Sequence, residues 1–228
     1  MMRINHITAI LSKNVKDVIK NIQVLILFVV YPAVGFIMTQ SINVEKGFFI
    51  SVFATMHFVF TPIVVSAHMI SEEKEKNTLR VLRMSGITST EFFLSTAIFI
   101  IFLDCISGST FIFMAGEGGI DPGLYYSGAI MGSAVSIILG MCIGTFSKGS
   151  SAANGLAIPL GLFFSFLPML SYFNKGLESV SKYLYGQQVG NMIYGQGWSA
   201  ETGIICLGNL VLIMGLYVVL YRRTKTEE

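Results

Sequence analysis

The chain has 228 residues, of which 53% are hydrophobic and 12% charged, with a formal charge of +2. Mean hydropathy is +0.69. A soluble domain carries about twice that charge fraction, and so small a net charge gives no electrostatic footprint for nucleic acid. Cys105, Cys142 and Cys206 form no CxxC pair and fall in apolar runs, so neither a metal site nor a disulfide framework is expected.

Residues 4–22 predict an amphipathic helix. Ile7, Ile10, Leu11, Val15, Val18, Ile19 and Ile22 follow helical spacing, while Lys13, Asn14, Lys16, Asp17 and Lys20 fill the other face. Beside an apolar span such a helix belongs in the inner membrane interface, its lysines among the headgroups. It does not have the short apolar core and cleavage site of a signal peptide.

Six runs then have the roughly 20 apolar residues that cross a hydrocarbon layer. They are Ile22–Thr39, Gly47–Ile70, Glu91–Ala115, Leu124–Phe146, Ser151–Phe173 and Thr202–Tyr221. The expected fold is an all-α integral membrane domain occupying residues 1–228, with six transmembrane helices. Pro32 is expected to kink the first span, and a short outer loop with Glu45 and Lys46 leads to the second. The second span carries His57, Pro62 and His68; the third carries Asp104. His57 and Asp104 lie at similar depth, so neighbouring antiparallel helices bring them together near the midplane. Such a pair either lines a translocation path or makes an interhelical hydrogen bond.

Between the second and third spans stands the densest charge cluster of the chain, Ser71-Glu72-Glu73-Lys74-Glu75-Lys76-Asn77-Thr78-Leu79-Arg80-Val81-Leu82-Arg83. Charge of that density is excluded from hydrocarbon, so the segment is a loop on one face. Residues 71–86 read as one short helix stopped by Ser85-Gly86, with Thr88 or Thr90 as the next N-cap. Gly116 to Gly123, rich in helix breakers, is an outer turn. The fourth span carries Gly128, Gly132, Ser136, Gly140 and Gly144 at four-residue intervals. Small residues in that register form a stripe for close helix approach, within one subunit or across a subunit interface. After the fifth span, with Pro159 and Pro168, residues 171–200 are too aromatic for a free loop. They read as one or two short helices dipping into the outer leaflet. The last span ends on Tyr221-Arg222-Arg223, an aromatic and basic anchor.

Counting basic residues orients the chain. With the N-terminus in the cytoplasm, Lys46, Lys175 and Lys182 fall outside and the other basic residues inside. Both termini are then cytoplasmic in a multi-pass protein of the cell membrane. There is no phosphate-binding Gly-xxxx-Gly-Lys-Ser/Thr, no His-Glu-xx-His and no Gly-x-Ser-x-Gly, so neither ATP hydrolysis nor metal or serine catalysis is expected in this chain.

Glu73-Lys74-Glu75-Lys76-Asn77-Thr78-Leu79, followed by Leu82, Ser85-Gly86 and Thr90-Glu91-Phe92, resembles the motif between the second and third spans of ABC type-2 exporter permeases. The N-terminal helix is similar to that family's interfacial helix, and 171–200 to its extracellular re-entrant helices. Asn77 stands where the family usually has Gly, and no proline lies near Tyr185-Gly186. The resemblance implies a permease subunit that exports a hydrophobic or amphipathic substrate such as a peptide, toxin or drug. It further implies two copies of a separate ATPase subunit, with ATP and Mg bound there, and a second permease subunit, identical or homologous. Residues 71–86 become the cytoplasmic coupling helix, with Glu72, Glu73, Glu75, Asn77, Thr78, Leu79 and Leu82 at the ATPase contact. The alternatives are an ATP-independent carrier or channel and an intramembrane hydrolase working through His57, His68 or Glu72.

Overall fold

A computed structural model describes residues 4–41, 46–116, 119–195 and 197–226. Glu45, Glu117 and Gly118 of the expected outer loops lie outside the described residues, as do the side chains of Tyr221, Arg222 and Arg223. The described residues form helices and no strand: α1 (Ile4–Lys20), α2 (Ile22–Ser41), α3 (Lys46–Glu75), α4 (Thr78–Met84) and α5 (Ser89–Ala115), then α6 (Pro122–Phe146), α7 (Ser150–Phe173), α8 (Lys175–Ser181), α9 (Tyr185–Ile193) and α10 (Ala200–Thr226).

Six of them, α2, α3, α5, α6, α7 and α10, are long and apolar enough to cross a membrane. They match the six runs read from hydropathy because uninterrupted apolar stretches bounded by caps leave the backbone few other ways to satisfy its hydrogen bonds in lipid. Local signals set their ends. Asn21 Oδ1 accepts from the backbone N–H groups of Gln23 and Val24, starting α2. Thr88 and Glu91 form a capping box on α5. Asp121 caps α6 ahead of Pro122 in the first turn.

The bundle has an inner pair and an outer ring. Within their span windows α3 is 72% buried and α6 61%, against 28% or less for the other four. Phe58, Val59 and Ile63 of α3 pack with Tyr125, Ala129 and Leu139 of α6 in the main core. The outer helices turn large apolar side chains outward, among them Phe36, Phe102, Phe113, Phe163, Leu207 and Leu212. A continuous apolar exterior of this kind belongs in lipid. The molecule is a multi-pass membrane protein.

With 30 residues α3 is about 45 Å long at helical rise, longer than a hydrocarbon core of about 30 Å. Its two ends meet different partners. Phe48, near its start, packs on Tyr172 and Phe173 at the end of α7. Its last turns meet α1 and lead into α4. α9 lies against α6 at the level of Gly128 and Gly132, about 9 and 15 Å from the start of α6. It therefore sits alongside the spans and not above them.

Candidate functional site

The charged segment is divided between two helices. Ser71 to Glu75 continue α3, and α4 begins at Thr78. The single helix expected over 71–86 is broken at Asn77, which adopts φ 57. Asn enters the left-handed region more readily than other residues with a side chain, and one such residue ends a helix. The Asn77 N–H donates to Lys74 O, and its carbonyl accepts from the Arg80 N–H.

The charged side chains at this end of α3 fasten it to three neighbours. Glu73 is buried and pairs with Lys13 of α1. Lys13 also holds Asp17 at 2.7 Å. Burial alone lowers the Lys13 pKa, but hydrogen bonds and charge from Asp17 and Glu73 outweigh it and leave the ammonium above the ordinary lysine value. Lys74 Nζ donates to the carbonyls of Thr145 and Ser147, at 2.9 and 3.1 Å, where α6 ends. That position suits a cation, because the last carbonyls of a helix lack partners. Glu75 Oε2 accepts from the N–H and the hydroxyl of Ser150 at the start of α7. Glu72 pairs with Lys76 at 2.6 Å and lies 3.7 Å from His68 Nε2. His68 bridges further, to Asn21 at 3.1 Å and to Asn154 at 3.3 Å.

The motif's carboxylates are thus engaged within the chain. Thr78 Oγ1 donates to Glu73 O at 3.4 Å. Leu79 and Leu82 are half-buried against the cluster of Ile10, Ile70, Ile87 and Phe92. What α4 leaves outward is Arg80, with Val81 58% and Met84 81% exposed. Sequence reasoning put the apolar anchor on the two leucines. A seven-residue helix is too short for periodicity to tell its two apolar edges apart, and only the packed Ile87 and Phe92 decide which faces inward.

The structure brings His57 and Asp104 together, both fully buried. His57 Nε2 lies 3.2 Å from Asp104 Oδ1, 3.2 Å from the Asp104 carbonyl and 2.9 Å from Ser107 Oγ. Ser133 Oγ of α6 donates to Asp104 Oδ2 at 2.5 Å. Asp104 Oδ1 is close to His57 but not aligned for a hydrogen bond, and His57 Nδ1 makes none. Rings of Phe58 and Phe111 flank the imidazole. The cluster ties α3, α5 and α6 at mid-bundle. Ser133 is not distinguishable in the sequence, because serines are frequent in these spans.

The small-residue stripe of α6 faces two helices of the same chain. A Cβ on Gly140 would lie 2.0 Å from Ser66 Oγ and 2.3 Å from Ile63 O; one on Gly144 would lie 2.6 Å from Ala67 O. Gly132 and Gly128 instead approach Val189 and Met192 of α9. Between them the Ser136 hydroxyl meets the Tyr185 hydroxyl at 2.9 Å. The stripe is divided between α3 and α9, a split that spacing alone does not reveal.

Among the described residues no three His, Cys, Asp or Glu side chains are grouped to hold a metal ion. Compared with family models, curated proteins and solved structures, the chain matches none. The chemistry of the site therefore rests on its geometry. Charged side chains tie the end of α3, the innermost helix, to α1, α6 and α7, and the turn at Asn77 joins it to a short helix with an exposed apolar face.

Proposed function

We propose that this chain is the membrane-spanning permease subunit of an ATP-driven exporter of the ABC type-2 kind, moving a hydrophobic or amphipathic substrate out of the cytoplasm. The observation that carries the reading is the exposed Val81 and Met84 face on a helix joined through Asn77 to α3. In this reading α4 is the coupling helix and seats in a groove of a separate ATPase subunit that binds ATP and Mg. The apolar pair supplies the buried anchor and Arg80 the charge at its rim. Two ATPases and a second permease subunit complete the transporter.

Glu73, Lys74 and Glu75 then have a mechanical role. ATP-driven closure of the ATPases presses on α4, and the left-handed turn at Asn77 passes the displacement to the end of α3. The ties to Lys13, Thr145 and Ser150 carry α1, α6 and α7 with it. α1 lies in the cytoplasmic interface, and α8 and α9 are the re-entrant pair on the outer side.

Two measurements test this. With Met84→Cys in intact cells, a membrane-impermeant maleimide is expected to label only after permeabilisation; labelling of intact cells places α4 outside and overturns the reading. In vesicles holding the permease with its ATPase, Val81→Asp or Met84→Asp is expected to abolish substrate-stimulated ATP hydrolysis while the spans stay folded. Substrate movement by the purified chain with no ATPase bound refutes the reading outright.

A further inference from the structure

At the opposite end from α4 the first turns of α3, the last turns of α7, and α8 and α9 line a half-open cavity of about 390 Å³. That volume falls in the range of small-molecule sites. The spans contribute residues 48–55 of α3 and 165–172 of α7 to its lining, within about 14 Å of the ends of both. This is the depth of lipid headgroups, ester groups and first methylenes.

The lining divides by chemistry. Phe48, Val52, Pro168, Met169 and Tyr172 supply apolar wall. Gln187 organises the polar part. Its Oε1 accepts from the hydroxyls of Ser171 and Ser181 at 2.8 and 2.6 Å, and its Nε2 donates to Asn191 Oδ1 at 3.0 Å. The Asn191 carbonyl is thereby turned to Gln187, and its Nδ2 has no protein acceptor among the described residues. An amide donor lining a cavity selects a carbonyl or anionic oxygen. At the rim Glu178 of α8 and Lys182, the residue that caps the end of α8, stand one turn apart, both exposed, and no ion pair joins them. Lys182 Nζ rests 4.8 Å from the Tyr183 ring. A ligand with one positive and one negative group finds a counter-charge for each.

We propose that this cavity binds a zwitterionic amphiphile taken sideways from the bilayer, of the phosphoethanolamine lipid type. The phosphate lies at Lys182, the ammonium at Glu178 and an ester carbonyl at Asn191 Nδ2. The first methylenes run against Phe48, Val52 and Met169, and the remaining chain continues in the bilayer. The cavity volume fits a headgroup and the beginning of a chain. This assignment stands apart from the ATP-driven reading, since it concerns binding by this chain alone.

The test is calorimetric titration of the purified chain, in an uncharged detergent, with dihexanoyl phosphatidylethanolamine. Dihexanoyl phosphatidylglycerol, an uncharged hexyl glycoside and a short apolar peptide serve as comparison ligands. The zwitterionic lipid is expected to bind about tenfold more tightly than each comparison ligand, the effect of one charge-assisted hydrogen bond. Lys182→Gln, Glu178→Gln and Asn191→Leu are each expected to weaken it by about the same factor. Glu178 and Lys182 are exposed, so their variants keep the fold, and unchanged circular dichroism checks this. Equal affinity for the glycoside, tighter binding of the peptide, or unchanged binding in the Lys182 and Glu178 variants overturns the proposal. Equal affinity for phosphatidylglycerol with a silent Glu178→Gln also overturns it, leaving an anion site only. Because no ATPase is present, failure here leaves the coupling proposal untouched, and loss of coupling leaves this one untouched.

Discussion

Glu75 Oε2 accepts both the backbone N–H and the hydroxyl of Ser150, each at 2.9 Å, so the last turn of α3 holds the first turn of α7. The carboxylate satisfies a donor that α7 itself leaves unpaired and sits at the end of the helix dipole that favours negative charge. Gly149, the preceding N-cap residue, makes no side-chain cap, so Glu75 substitutes for one across the bundle. Glu75→Leu is expected to raise amide hydrogen exchange at Ser150 to Ala153 while leaving the middle of α7 protected. Glu75→Gln, which keeps an acceptor, is expected to fall between the two. Unchanged exchange in the leucine variant removes the tie from the account.

The pairing of Lys13 with Glu73 makes the α1 to α3 junction sensitive to alkali. The folded Lys13 pKa lies above its ordinary value of 10.5, because the hydrogen bonds and charges of Asp17 and Glu73 overcome the effect of burial. A group raised on folding contributes stability below its unfolded pKa, and that contribution fades as pH rises through the folded value. Wild type is therefore expected to lose thermal stability above pH 10.5 more steeply than Lys13→Gln, which lacks the charge throughout. Lys13→Arg is expected to keep its pair past the pH at which lysine gives up its proton. Parallel pH–stability curves for wild type and Lys13→Gln contradict this.

The six long helices were legible in the sequence because the bilayer restricts the possibilities: an apolar run of sufficient length has one economical structure there. The meeting of His57 and Asp104 was legible for the same reason, since antiparallel helices of known length put equal depths side by side. The surroundings of the motif were not. Glu73 and Lys13 are 60 residues apart, and nothing in either local pattern names the other. The break at Asn77 could be read only as a tolerance for left-handed geometry, because a lysine-rich segment with good helix formers on both sides also suits one continuous helix. The close approach of α9 to α7 depends on Gly186, where a Cβ would lie 2.2 Å from Phe164 O. That contact exists only once α7 and α9 are packed together.

Gly140 and Gly155 separate packing from propensity. An alanine at Gly140 puts its Cβ into Ser66 Oγ and the Ile63 carbonyl, whereas at Gly155 nothing lies within 4 Å. Gly140→Ala is expected to destabilise the bundle by about 1–3 kcal/mol, the usual cost of overpacking. Gly155→Ala, inside α7, is expected to be neutral or to stabilise slightly, by up to about 1 kcal/mol of helix propensity. Thermal unfolding in one detergent compares the two directly. Equal melting temperatures mean that α6 and α3 are not in close contact at Gly140.

The His57, Asp104 and Ser133 cluster allows a prediction of asymmetry. His57 keeps the Asp104 backbone carbonyl and Ser107 as partners whatever the Asp104 side chain is. Among the described residues Asp104 depends on Ser133 for its only aligned side-chain hydrogen bond, because Oδ1 has none there. Removing the donor therefore strands a buried acidic group, which costs about 1–3 kcal/mol. Replacing the acid by its amide keeps the shape and an acceptor for the Ser133 hydroxyl. Ser133→Ala is expected to be clearly destabilised, Asp104→Asn to be at least as stable as wild type, and the double variant to recover part of the loss. If Asp104→Asn unfolds while Ser133→Ala does not, His57 and not Ser133 is the partner that holds the carboxyl.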